Sequence, residues 1–136
     1  MRQANAAILT ECFKKIPALR VLEVPEEFDH AFYKYYVFIR PEVLSQPLAP
    51  SLQPPVSPRD SIMAAINTEG IPCFSGICPE IYLEKAFTDA GYGPAERLPN
   101  AKVLGETSLL FLVHPTLGEV EMNATCCAVE KVMAEV

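Results

Sequence analysis

The sequence is short of most features that announce a chemistry. It has only two histidines, His30 and His114, far apart and without ligand spacing. Its five cysteines, Cys12, Cys73, Cys78, Cys126 and Cys127, include no Cys-x-x-Cys pair. A structural zinc site needs four ligands, usually as two close pairs, and a redox pair prefers that motif, so the pattern argues against both. The odd cysteine count, with no secretion signal, points to free thiols in a reducing compartment. Basic residues are few, 11 Lys and Arg against 17 Asp and Glu, for a formal net charge of -6. Nucleic acid and anionic membrane both need clustered Lys and Arg, so neither is an expected partner. No glycine-rich phosphate motif, like-charge block or internal repeat is present. The longest purely apolar run, Leu109 to Val113, is far too short to cross a bilayer. With no signal-peptide core in MRQANAAILTECFKK, the expected location is the cytoplasm.

What is present fits one soluble domain over residues 1–136, half apolar and about one fifth charged. Residues 5–16 put Ile8, Leu9, Cys12, Phe13 and Ile16 at helical spacing, and Pro17 stops that helix. The aromatic and β-branched run 30–39 reads as a strand covered on both faces. Residues 41–58 carry six of the thirteen prolines and read as a long loop. Ser57 as N-cap, Pro58 at the first helical position and Asp60 then open a helix, with Ile62, Met63 and Ile66 inward and Gly70 at its end. A short strand at 71–74 follows. Pro79 opens a helix carrying Ile81, Tyr82, Leu83, Ala86 and Phe87 and ending near Gly91, and another helix spans 99–105. Residues 108–113 read as a buried strand. Thr116 and Glu119 form a capping pair for a last helix with Val120, Ala124, Cys127, Ala128 and Val132 inward, and Cys12 is likewise assigned to the core. This order predicts an α/β (α+β) two-layer sandwich, with a small, largely antiparallel sheet of three or four strands and helices packed on it.

The densest stretch chemically is GIPCFSGICPEIY, residues 70–82. Ser75 and Gly76 could bring backbone N–H groups to an anion, or simply make a turn. Glu80 lies where a carboxylate stabilises a helix start by ~0.3–1 kcal/mol, or could accept a hydrogen bond from a ligand. Cys78 reads as a small thiol in the turn. His114 reads as a residue serving local hydrogen bonds.

Taken in order, RQANAAILTECFKKIPALRVL, HAFYKYYVFIRPE, RDSIMAAINTEGIPCFSGICPEIYLEKAF and LPNAKVLGETSLLFLVHPTL resemble the C-terminal small domain of the DegT/DnrJ/EryC1/StrS sugar aminotransferases, nearly end to end. The resemblance implies a fold-type-I, pyridoxal-phosphate-dependent enzyme acting on nucleotide-linked keto-sugars. Its Schiff-base lysine sits in an N-terminal large domain, and no lysine here has that context. On this reading the chain alone is inactive and binds no cofactor, its partners are the large domain and a second copy in a homodimer, and its first helix leaves an apolar stripe partly uncovered. The resemblance makes the loop after Gly70-Ile71 reach the mouth of the active site, with Ser75, Gly76, Glu80 and Tyr82 as substrate-binding residues. Many members carry histidines there; this chain has none. A stand-alone metabolite-binding or regulatory module, or a pure interaction domain, stays open as an alternative.

Overall fold

A computed structural model describes residues 1–44, 57–76 and 79–136. Most of the proline-rich segment 41–58, and Cys78, lie outside these. The described helices are α1 (Arg2–Phe13), α2 (Pro58–Thr68), α3 (Lys85–Asp89), α4 (Pro99–Thr107) and α5 (Glu119–Ala134). The strands are β1 (Leu19–Val21), β2 (Tyr35–Ile39), β3 (Cys73–Phe74) and β4 (Ser108–Phe111). They form one sheet in the order β1-β2-β4-β3, antiparallel at every junction. The predicted α/β sandwich is therefore observed, with four strands.

Register decides which side chains share a face. Leu19 pairs with Ile39, Val21 with Val37, Val37 with Leu109, and both Tyr35 and Cys73 with Phe111. These residues join Ala6, Leu9, Cys12 and Phe13 of α1, Ile62 and Ile66 of α2, and Met122, Cys126, Val129 and Val132 of α5 in a single core. Phe13 is its hinge: its ring lies 5.2 Å from Phe111 and 6.1 Å from Tyr35. Asn5 is buried at the start of α1 because Nδ2 donates to the carbonyls of His114 and Leu117, at 3.2 and 3.0 Å. The start of α2 is as read: Ser57 Oγ accepts from the Asp60 N–H at 3.1 Å.

Several elements differ from expectation. β1 is a three-residue strand too short for a periodic signal, defined by its pairing with β2. The run 30–39 is a strand only from Tyr35. Phe32, just ahead of it, adopts a left-handed φ of 44° that no strand residue can hold. The continuous helix from Pro79 is instead a 3₁₀ turn, Ile81–Leu83, followed by the five-residue α3. Short helices need a packed face to persist, and this segment buries almost nothing after Glu80. On α5 the inward stripe is Met122, Thr125, Cys126, Val129 and Val132, with Ala128 also buried. Val120, Ala124 and Cys127 face outward. Two residue series on that helix have helical spacing, and the observed phase buries the larger Met122 against the core. The cap also sits two residues later: Glu121 Oε2 accepts from the Gly118 N–H at 2.7 Å. Thr116 instead bonds His114 Nδ1 at 2.8 Å, the local role expected for that histidine.

Along the apolar stripe of α1, Leu9, Cys12 and Phe13 are buried while Ile8 and Ile16 are only half-buried, so the stripe is uncovered in part. Exposed apolar side chains collect elsewhere, at Ile81, Leu83 and Phe87 and around α4 at Leu98, Val103 and Leu104. No described helix is long and apolar enough to cross a membrane.

Candidate functional site

In the stretch singled out in the sequence, the described residues Ser75, Gly76 and Pro79 to Tyr82 follow the end of β3, beside the sheet face opposite the main core. Three fastenings fix it. At its start the Ser75 carbonyl accepts from Ser108 Oγ, the first residue of β4, at 2.7 Å. Next, Gly76 lies against Tyr36 of β2. Its φ is +94°, and a Cβ there would stand 2.6 Å from the tyrosine ring. Only glycine meets both conditions. Third, Pro79 lies so close to Gly105 of α4 that a side chain at 105 would collide with the proline ring. The α4–β4 junction that carries these contacts is itself held by Arg59 of α2, whose Nη1 donates to the Gly105 and Ser108 carbonyls at 3.1 and 3.4 Å.

Glu80, near the end of the stretch, is 7% exposed in a segment that is otherwise largely on the surface. Burying a carboxylate is costly unless it is paired. Arg97 supplies the pair in a two-pronged grip: Nε donates to Oε1 at 2.7 Å and Nη2 to Oε2 at 2.5 Å. Tyr82 Oη donates to the same Oε1 at 2.6 Å and accepts from the Leu98 N–H at 3.0 Å. Glu106 Oε1 stands 3.4 Å from Arg97 Nη2. The Arg97 hydrogen bonds, and then the Tyr82 hydroxyl, pull the Glu80 carboxyl down to about 2. Burial, then the Glu80 hydrogen bond, raise the Tyr82 phenol. A depressed acid stabilises the fold fully above its free value of 4.5, and that contribution fades as pH falls toward 2.

Tyr36 also joins this stretch to a cleft of about 700 Å³ walled by the β1–β2 connection, with Phe28, Phe32, Tyr33 and Lys34 around it. The left-handed Phe32 is held by its N–H donating to His30 Nδ1 at 3.1 Å and by the His30 ring at 4.4 Å. The structure thus places the four predicted residues in two groups, Ser75 and Gly76 with Ser108 and Tyr36, and Glu80 and Tyr82 with Arg97 beside the start of α4. Arg97 left no trace in the sequence because it stands seventeen residues from its partner in an unpatterned loop.

No group of three His, Cys, Asp or Glu is placed to hold a metal among the described residues. Of the described cysteines, Cys12, Cys73 and Cys126 are buried and Cys127 is exposed. Burial pushes Cys73 up to about 12 and raises Cys12 and Cys126, the opposite of what a nucleophilic thiol needs.

No family model and no curated protein matches the chain. Solved structures do. An aminotransferase from Psychrobacter cryohalolentis is 42% identical over 99% of this chain, with a TM-score of 0.86. A DegT DnrJ EryC1 StrS aminotransferase from Brucella abortus is 21% identical over 96%, with a TM-score of 0.72. The aminotransferase TlmJ from Streptoalloteichus hindustanus is 19% identical over 98%, with a TM-score of 0.76. The structural neighbours are DegT/DnrJ/EryC1/StrS-type aminotransferases. The chain spans only 34%, 30% and 31% of the length of these three.

Such aminotransferases imply pyridoxal phosphate in the intact family. The lysines of this chain do not fit a covalent attachment role. Lys85 pairs with Asp89 and Lys131 with Glu69, and Lys14, Lys15 and Lys102 are exposed. Lys34 is half-buried beside the Tyr33 ring. A lysine that forms a Schiff base is activated by a lowered pKa, through desolvation or a neighbouring cation. Lys131 is shifted the other way by Glu69.

Proposed function

We propose that this chain is the C-terminal domain of a pyridoxal-phosphate-dependent aminotransferase that acts on nucleotide-linked keto-sugars, in the cytoplasmic synthesis of amino sugars or cell-surface polysaccharide. The observation that carries the reading is the match at 42% identity over nearly the whole chain to one third of a solved aminotransferase. An N-terminal portion of the same enzyme supplies the lysine that holds the cofactor, and the working unit is a homodimer. Ser75, Gly76, Glu80 and Tyr82 border the sugar. The main chain at Ser75 and Gly76 stands nearest the substrate, while Glu80 and Tyr82, whose polar groups already bond each other and Arg97, shape the wall behind it. The exposed large apolar side chains Ile81, Leu83, Phe87 and Leu98 support the same reading, as surfaces a missing portion of the enzyme would cover.

On its own the chain is expected to transfer no amino group from glutamate to a nucleotide-linked keto-sugar. It is also expected to retain no pyridoxal phosphate after gel filtration. Turnover by the purified chain, abolished by changing one of its six lysines, would overturn the reading.

A further inference from the structure

We propose that Arg97 is a positioning residue of the site formed by Ser75, Gly76, Glu80 and Tyr82, acting as a latch that sets the segment Pro79–Tyr82 on α4. The inference rests on the reading that this loop borders the substrate. It starts from an imbalance in the fold. The chain from Pro79 to Asn100 is almost wholly exposed, and Glu80 is its one buried residue. Its two carboxylate oxygens take three hydrogen bonds, two from one guanidinium and one from Tyr82. Tyr82 relays the contact to the Leu98 N–H, next to the first turn of α4. The near end of the loop is held separately by Ser108 and Tyr36. Without Arg97, Glu80 would be a buried carboxylate with no charge partner and only the Tyr82 hydrogen bond, and would be driven toward water, carrying Pro79 off Gly105. The near end would stay in place. Loss of Arg97 should therefore displace the loop without unfolding the domain. Lysine can replace it only in part, because a single ammonium cannot grip both carboxylate oxygens in the plane of the pair.

The test has two arms. In this chain, Arg97→Ala should accelerate amide hydrogen exchange at Leu98 and across 79–84, while exchange in β2 and β4 stays as in the parent. Arg97→Lys should fall between the two. Unchanged exchange at Leu98 would overturn the latch. In the longer aminotransferase carrying this segment, Arg97→Ala should raise KM for the sugar about ten- to a hundredfold, with kcat changed far less. Gly76→Ala, which moves the near end, is the companion variant. If Gly76→Ala raises KM and Arg97→Ala does not, the positioning role fails and the site reading survives. If neither variant alters KM, the site reading itself fails, and the proposal with it.

Discussion

Phe13→Ala should cost about 3–5 kcal/mol, the usual range for emptying a phenylalanine site in a core. Phe13 is fully buried and touches both the partner strand ring Phe111 and the first residue of β2, Tyr35. It is the one aromatic side chain of α1 and fills the space between that helix and the middle of the sheet. Small domains hold only about 5–15 kcal/mol in total, so this single truncation should remove a large part of the stability. Urea unfolding followed by circular dichroism would read the loss as a fall in midpoint at unchanged slope. Phe28→Ala, at a residue 64% exposed, should change the midpoint little. Equal losses for the two variants would contradict the assignment of the core.

Gly76→Val should cost about 2–5 kcal/mol, because it meets two obstacles at once. The left-handed φ of +94° is strained for any residue with a Cβ. The new side chain must also displace the Tyr36 ring, which already lies within 2.6 Å of where a Cβ would be. Gly70 separates these effects. Its φ is +85°, yet nothing lies within 4 Å of a Cβ there. Gly70→Ala should therefore show the conformational penalty alone, about 1 kcal/mol. If the Gly76 and Gly70 variants are equally stable, the contact between the loop and Tyr36 does not hold the loop in place.

The pattern of what the sequence revealed follows from how each signal arises. Local chemistry was legible: the Ser57-Pro58-Asp60 start of α2, its Ile62 and Ile66 stripe, and the helix opened by Pro99 are where the sequence put them. The sandwich itself follows from alternating helices and apolar runs. Phase was not legible on α5, where two interleaved series both repeat at helical spacing and only the packing against α1, α2 and the core selects one. β1 was hidden because three residues carry no period, and its existence is a property of β2. The helix expected after Pro79 had sound local signals, yet it lacks a covering layer among the described residues and breaks into a 3₁₀ turn and one short helix. At the site, Ser75, Gly76, Glu80 and Tyr82 stood out because they crowd one short stretch. Their partners Tyr36, Arg97 and Ser108 come from three other segments, joined by tertiary contacts alone.

The most direct test of the account is the intact mass of the natural protein containing this sequence, isolated from its source and reduced with borohydride to fix any bound pyridoxal phosphate. The chain is 15.0 kDa and spans 34% of its 42%-identical neighbour, so the expected mass is roughly three times that of this chain. One phosphopyridoxyl group should sit on a lysine outside these 136 residues. A natural protein of 15.0 kDa, or the group attached to one of the six lysines described above, would contradict it.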